Sequence, residues 1–201
     1  MSRGFESHTL RRSAIVIEVV EYRASWPERF DELRAAYTAA LDAAAVPHRV
    51  EHVGSTAVPG LAAKPVIDID VVVDPEHVAA AVQALATIGF EPRGDLGIPG
   101  RQAFRTPDRF APSNTYVVAE GSLALRNHLG VRDVLRSDTT LRDAYAAVKR
   151  RAARTAADID DYLEQKSDVL GRILRAAGLT DDERASITAS TRGITGRGAH
   201  G

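Results

Sequence analysis

Hydrophobic residues follow two different periods along this chain, and the change of period separates a mixed first part from a helical second part. Before residue 121, short β-branched runs predict strands at residues 15–20, 49–53, 66–73 and 115–119. Apolar residues spaced as on a helix face predict one helix beginning at Ser25 and another at residues 76–88. Three further helices are predicted at about residues 122–136, 139–155 and 158–177. This order predicts an α+β fold, a small mixed β-sheet with flanking helices and a C-terminal helical lobe.

Both ends of the chain lack this periodicity. We therefore expect a disordered leader at residues 1–14 and a disordered tail at residues 179–201. Gly178 closes the last predicted helix as a C-terminal cap, which leaves one domain at residues 15–178. Its sheet core covers about residues 15–120 and its helical lobe about residues 121–178.

The start of the first helix carries a recognisable signal. Ser25 is expected to be its N-cap, with Pro27 in the first turn and Glu28 three residues after the serine, which is a capping box.

Composition narrows the possible functions. The chain has 201 residues and a formal net charge of −1, so no global positive charge indicates binding to nucleic acid. It contains no cysteine, which excludes disulfides and thiol chemistry. The apolar run at residues 14–20 is interrupted by Glu18 and is too short to span a bilayer, so we expect a cytoplasmic protein that does not enter a membrane.

The strongest predicted strand contains two carboxylates. Side chains alternate between the faces of a strand, so Asp68 and Asp70 point the same way, with their Cα atoms roughly 6.5–7 Å apart. The intervening and following aliphatic residues form the opposite, core-facing side. Carboxylates at this spacing can hold one hard cation or bridge two. The alternative is that both aspartates face water on a one-sided sheet.

A glycine-containing loop precedes this strand. Gly54-Ser55 lies thirteen residues before Asp68, and such a pair can offer backbone N–H groups and a hydroxyl to a phosphate. A Gly-Ser pair alone is weak evidence, and its value comes from the acidic strand that follows. Lys64 could neutralise a phosphate or pair with an aspartate, and the sequence leaves both open.

These segments together resemble the GrpB family, which also occurs fused to some bacterial dephospho-CoA kinases. The resemblance rests on HVGSTAVPGL at residues 52–61 and AKPVIDID at residues 63–70. It extends over about residues 16–178 through Trp26-Pro27, Gly97-Ile98-Pro99-Gly100-Arg101, His128-Leu129, Arg132-Asp133-Val134-Leu135-Arg136, Tyr145, Lys149, Tyr162 and Lys166. The family is similar to the nucleotidyltransferase superfamily. This implies that Asp68 and Asp70 hold Mg²⁺ and act in catalysis, and that the Gly54-Ser55 loop binds a nucleoside triphosphate.

The superfamily takes a third carboxylate from a neighbouring strand, and this sequence departs from that pattern. The strand expected there, residues 115–119, contains no acid, and Tyr116 stands where many family members have histidine. Glu120, Glu51 and Asp95 are the remaining candidates. Two acids suffice to hold one Mg²⁺ with waters and phosphates, so the departure affects turnover more than binding.

Basic residues in the second half could complete a phosphate site. Arg132 and Arg136 are four residues apart on one predicted helix, so both guanidinium groups could meet one phosphate. Arg101 follows a Gly-Ile-Pro-Gly loop that could fold it over a ligand. Lys149 begins a charge run that is more typical of a solvated face, and the Tyr162–Lys166 pair is more typical of a structural contact.

Three functions remain open at this point. The first is Mg²⁺-dependent transfer of a nucleotidyl group from a nucleoside triphosphate to an unknown acceptor. The second is a non-catalytic module that binds a nucleotide or another phosphorylated small molecule, or assists folding. The third is an aspartyl-phosphate phosphatase, because Asp68-Ile69-Asp70-Val71-Val72 also fits the Asp-x-Asp-x-[Thr/Val] pattern of haloacid-dehalogenase-like enzymes. Against the third, the valines predict that the strand continues beyond the carboxylates.

Overall fold

Five strands form a single mixed β-sheet. A computed structural model describes residues 18–197, with side chains up to residue 190. The strands are β1 (Arg49–Val53), β2 (Ile67–Val73), β3 (Glu91–Gly94), β4 (Arg101–Arg105) and β5 (Ser113–Ala119). Their order across the sheet is β1-β2-β5-β4-β3, with β2 and β5 parallel and every other neighbouring pair antiparallel. The strand that carries both aspartates is therefore interior, between β1 and β5.

Six α-helices accompany the sheet within the described residues. They are α1 (Ser25–Ala43), α2 (Val78–Thr87), α3 (Leu123–Ser137), α4 (Thr139–Thr155), α5 (Ile159–Ala176) and α6 (Asp181–Arg197). The side chains of Ser122, Asp138 and Asp158 accept backbone hydrogen bonds and start α3, α4 and α5. Among these described helices, none has both the length and the apolar character needed to cross a bilayer.

The two faces of the sheet carry different kinds of side chain. On one face the aliphatic side chains of β2 pack against α1 and α2 in the main core, which includes Leu33, Tyr37 and Leu85. Asp68 and Asp70 alternate with those residues and lie on the other face, which α3 covers in part through Ala124 and Leu125. The α+β class, the mixed sheet and the helical lobe expected from the sequence are confirmed.

The expected capping box at the first helix is wrong. The helix begins at Ser25 as expected, but Ala24 occupies the N-cap position and no side chain caps the first turn. The Trp26 N–H donates to the carbonyl oxygen of Arg23 at 3.1 Å, so the chain already turns before Ser25. Ser25 lies inside the helix, where its hydroxyl does not meet the free N–H groups of the first turn.

The expectation of a disordered tail from residue 179 is also wrong, because residues 181–197 form α6. The missed signal is a capping box: the Thr180 hydroxyl accepts from the Glu183 N–H at 3.3 Å, and the Glu183 carboxylate accepts from the Thr180 N–H at 2.9 Å. The expected leader, residues 1–14, lies outside the described residues, as does the first half of the expected first strand, residues 15–17. Its last residue, Val20, forms an isolated antiparallel bridge with Ala63.

Candidate functional site

The paired carboxylates of β2 occupy distinct environments. The Asp68 Oδ1 atom accepts a hydrogen bond from the Asn114 side chain at 2.8 Å. Asp70 is completely buried, with its Oδ2 atom accepting from His128 Nδ1 at 2.8 Å and its Oδ1 atom lacking any hydrogen-bond partner. The alternative in which both aspartates face water is therefore wrong. A buried carboxylate oxygen without a partner is costly unless a further cation or donor meets it.

His128 supplies the positive charge that accompanies Asp70. Burial alone would lower the pKa of His128, but the charge and hydrogen bond of Asp70, together with the charge of Asp68, raise that pKa above its ordinary value. The imidazole is thus favoured in its charged form beside the buried carboxylate. Sequence reasoning did not assign His128 a role, although it lies three residues after the buried Leu125 on α3 and thus on the same helix face.

The backbone of the loop after β1 lies directly against Asp68. Gly54 has φ +70° and ψ −169°, a region that is essentially restricted to glycine. A Cβ atom on this residue would lie 2.2 Å from Asp68 Oδ2. Only a glycine permits this close approach, and the expected pairing of the Gly54-Ser55 loop with the acidic strand is therefore present.

Lys149 reaches the same loop from α4. Its Nζ atom donates to Ser55 Oγ at 2.7 Å and to the Ala62 carbonyl oxygen at 2.9 Å, and only 4% of the residue is exposed. Burial, with Lys166 as a secondary cause, lowers the pKa of Lys149 to about 7. The sequence placed this lysine in a solvated charge run, because the partner that buries it is distant along the chain.

Charge repulsion links two further lysines, directly or in turn, to Lys149. Burial lowers the pKa of Lys166 to about 8, and the positive charge of Lys64 contributes to that shift. The Lys166 Nζ atom also lies 4.2 Å from the centroid of the Tyr162 ring. Repulsion thus links Lys149 to Lys166 and Lys166 to Lys64, and we call these three residues the lysine cluster, of which Lys149 contacts Ser55. Mutual repulsion of these charges indicates a site suited to an anion.

The arginines of α3 fasten the helix to the loop. Arg132 donates from Nη1 to Glu51 at 2.7 Å and to the His52 carbonyl oxygen at 3.1 Å. Arg136 donates from Nε and Nη2 to the Ala57 carbonyl oxygen at 2.9 and 2.7 Å. That both guanidinium groups meet one phosphate stays a prediction. Arg132 thus binds a backbone carbonyl at the end of β1, and Arg136 binds one in the loop that follows.

Arg101 lies within the sheet layer. It is 6% exposed, its guanidinium carbon stands 4.5 Å from the centroid of the Tyr116 ring, and its Nε atom has no hydrogen-bond partner. Burial lowers the pKa of Arg101, while the nearby Tyr116 and Asp70 oppose that shift. Its positive charge therefore acts on Asp70.

No third carboxylate joins the pair among residues 18–197. The parallel register places Asn114 beside Asp68 and Tyr116 beside Asp70, the two β5 positions from which an acid would face them. Glu51 on β1 lies opposite Asp70 on β2, but its carboxylate forms an ion pair with Arg132. Glu120 forms an ion pair with Arg49. Within that described range there is no group of three or more acidic, histidine or cysteine residues that could hold a metal ion.

The residues present nevertheless fit one Mg²⁺ ion. Asp70 offers a buried, unpartnered Oδ1 atom, and Asp68 is held beside it on the same face by Asn114. Carboxylate oxygens are the ligands that Mg²⁺ prefers, and the ion usually completes its octahedron with waters and substrate phosphates. Because His128 already occupies Asp70 Oδ2, the donor set suits a single ion better than a pair.

The geometry does not favour an aspartyl-phosphate phosphatase. Such an enzyme places its nucleophile at the carboxyl end of a strand, where a phosphate can approach the aspartate in line. Asp68 is instead the second residue of β2, which continues to Val73. The sequence expectation that the strand continues beyond the carboxylates is confirmed.

Comparison with known proteins gives consistent results over most of the chain. The family model described as GrpB protein matches residues 16–176. A UPF0157 protein of Streptomyces coelicolor is 38% identical over 167 residues, covering 82% of this chain and 86% of that protein. A dephospho-CoA kinase of Mycolicibacterium paratuberculosis is 32% identical over 145 residues, which are 59% of this chain but 36% of that enzyme. The crystal structure of the conserved protein GrpB from Enterococcus faecalis superposes with a TM-score of 0.68 at 30% identity, over 80% of this chain and 96% of that one.

Proposed function

The chain belongs to the GrpB family, and from that premise we propose that it binds a nucleoside triphosphate with one Mg²⁺ ion and transfers a nucleotidyl group to an acceptor. The observation that carries the proposal is the contact between Lys149 Nζ and Ser55 Oγ at 2.7 Å. It joins a glycine-serine loop, a lysine cluster and an acidic strand in one place. The combination matches a triphosphate and its metal ion in both charge and hydrogen-bonding capacity.

Each group of residues has a defined part in this proposal. Ser55, the loop N–H groups and the lysine cluster bind the β- and γ-phosphates, while Asp68 and Asp70 hold the metal ion against the phosphates. Bound Mg²⁺ would neutralise charge that builds up on the transferring phosphoryl group. An acceptor oxygen forms a bond to the α-phosphorus, the bond from that phosphorus to the bridging oxygen breaks, and pyrophosphate leaves with the electron pair. The acceptor proton passes to water.

Titration calorimetry tests the binding step directly. We expect ATP, GTP, CTP or UTP to bind in the presence of Mg²⁺ and to bind at least tenfold more weakly without it. In the double variant Asp68→Asn with Asp70→Asn, the Mg²⁺ dependence should disappear, because the ligands for the ion are gone. If no nucleotide binds the wild type at millimolar concentration and the double variant behaves identically, the proposal is wrong.

A non-catalytic binding module is the second candidate, and a specific observation favours it. The amide of Asn114 occupies the β5 position beside Asp68, where a third acid would activate the attacking oxygen. A protein so arranged could bind a nucleotide and release it unchanged. The similarity to a dephospho-CoA kinase is compatible with such a role beside another enzyme.

Asn114→Asp separates the two candidates. We expect this variant to bind Mg²⁺ about tenfold more tightly, because a third carboxylate joins the pair. In metal-free buffer at neutral pH it should be less stable by about 1–2 kcal/mol, since like charges are brought together and one hydrogen bond is lost. Chemical denaturation with and without Mg²⁺ measures both effects, and Asn114→Ser is the neutral control. Pyrophosphate release by the variant alone would identify the wild type as a binding module, whereas release by both would favour the transferase.

A further inference from the structure

A small pocket lies next to His128, the residue that hydrogen-bonds to Asp70. It has a volume of about 100 Å³ and is lined by Ile98 and Pro99 from the β3–β4 connection, Leu123, Ala124 and His128 from α3, and Ile187 from α6. Five of the nine lining residues are apolar, and the four polar ones are Asn127 and His128 on α3 and Ser186 and Ser190 on α6. The proposed function leaves this pocket without a role.

His128 connects the pocket to the candidate site. The same imidazole that lines the pocket donates from Nδ1 to Asp70 Oδ2 at 2.8 Å. A molecule in the pocket therefore lies one side chain away from the carboxylate proposed to hold the metal ion. In the proposed function the triphosphate is bound where Lys149 meets Ser55, and neither of these residues lines the pocket. The pocket is thus separate from the proposed phosphate site and is connected through His128 to the carboxylate proposed to hold the metal ion.

We propose that this pocket binds the acceptor, a small neutral molecule with a branched aliphatic body and a hydroxyl group. This inference rests on the proposed function. The aliphatic lining selects an apolar body, and an apolar cavity of about 150 Å³ accommodates a benzene ring, so about 100 Å³ suits a body of about four carbon atoms. His128 uses Nδ1 for Asp70, so its second ring nitrogen, Nε2, can hydrogen-bond to a hydroxyl group of the ligand, whereas burying a protonated amine against the aliphatic lining would cost its hydration.

The pocket depends on a segment outside the family match. The match ends at residue 176, whereas α6 begins at Asp181. This helix is held on α3 by the Arg126–Glu183 ion pair at 2.5 Å and places Ser186, Ile187 and Ser190 against the pocket. Selection of the acceptor would therefore depend on a segment that lies outside the matched GrpB region of this chain.

Backbone amide shifts of the full chain on titration with 2-methylpropan-1-ol test the proposal. We expect saturable shifts centred on Ala124 and Ile187, about tenfold weaker binding of 2-methylpropan-1-amine, and no saturable shift with methanol. Ser186→Phe should fill the pocket and weaken binding of the alcohol at least tenfold. Ser190→Phe is a second filling variant, and Ala189→Phe, which is exposed on α6 and does not line the pocket, is the matched control.

Each outcome of this titration decides the proposal. Absence of saturable shifts up to about 100 mM alcohol, or equal binding by wild type and both filling variants, overturns it. Amide shifts in the same region that depend on protein concentration instead would mean that a second copy covers the pocket, which also overturns it. Calorimetry with Mg-ATP on the same samples separates the two hypotheses. Alcohol binding without nucleotide binding would reject the transferase and retain an apolar ligand site, and the reverse would reject only the acceptor pocket.

Discussion

Replacing Lys149 by methionine is expected to lower the affinity for a nucleoside triphosphate by about 10- to 150-fold, the loss of one charge-assisted hydrogen bond to an anion. Methionine fills a similar space but carries neither charge nor donors, so Ser55 Oγ and the Ala62 carbonyl oxygen lose the Nζ atom that lies 2.7 and 2.9 Å away. Calorimetric titration with Mg-ATP at pH 7 measures the effect.

Arg150→Met is the matched control, because it removes a positive charge from the next residue of α4. The Arg150 guanidinium points away from the loop and forms an ion pair with Glu21 at 2.7 Å. Its loss should change nucleotide affinity by less than about threefold, in keeping with the small energies of solvent-accessible charge pairs. Equal losses in both variants would mean that general electrostatic attraction, and not the buried contact with Ser55, holds the triphosphate.

The same substitution also has a pH signature in stability. Burial lowers the pKa of Lys149 to about 7 in the folded protein, whereas the unfolded lysine retains its ordinary value of 10.5. Between these two values the unfolded chain binds more protons, so this residue makes the wild type more stable as pH rises, by up to about 1.4 kcal/mol per pH unit. Urea unfolding at pH 7, 8 and 9 should show the wild type gaining stability relative to Lys149→Met. A constant difference would contradict the buried placement of the ammonium group.

Gly54→Ala is expected to destabilise the protein by about 2–4 kcal/mol, the largest effect on stability that we expect. Alanine at φ +70° and ψ −169° is strained, and its Cβ atom would also lie 2.2 Å from Asp68 Oδ2. Either the loop or the carboxylate must move, and the Mg²⁺-dependent part of nucleotide binding should be lost with it. Urea denaturation gives the stability, and calorimetry gives the binding.

Gly60→Ala separates the two causes of that effect. Gly60 also has a positive φ, +78°, but the nearest atom to an added Cβ is a flexible Arg142 nitrogen at 3.5 Å. Only the backbone cost of about 1 kcal/mol is therefore expected there. If both alanine variants lose the same stability, the close approach of Gly54 to Asp68 does not constrain the site.

The sequence was informative about the sheet and its acidic strand because both depend on local patterns. Alternation along β2 fixed which face carries Asp68 and Asp70, and the core on the opposite face is as expected. Helix bounds in the lobe agree within one residue, since Ser122, Asp138 and Asp158 mark their starts. The tail is not predicted as a helix because α6 has little aliphatic periodicity, and its only local signal is the capping box formed by Thr180 and Glu183.

The residues that contact the loop and the two aspartates could not be predicted in the same way. Lys149 lies 94 residues from Ser55 along the chain, and His128 lies 58 residues from Asp70. No local period links residues so far apart, so a buried lysine looked like part of a solvated run. Arg132 and Arg136 were correctly placed on one helix, but helical spacing cannot tell whether a guanidinium meets a phosphate or the loop carbonyls that the structure gives them.

By itself, the sequence determined that a glycine-serine loop leads into an apolar strand with two carboxylates on one face, because strand periodicity and the conformational freedom of glycine are properties of a few neighbouring residues. Only the tertiary structure decided what those carboxylates and that loop contact. It placed His128 on Asp70, Asn114 on Asp68 and Lys149 on Ser55. The reason is physical: the charge state and hydrogen-bonding capacity of a buried group are set by the groups that displace its water, and those groups come from β5, α3 and α4.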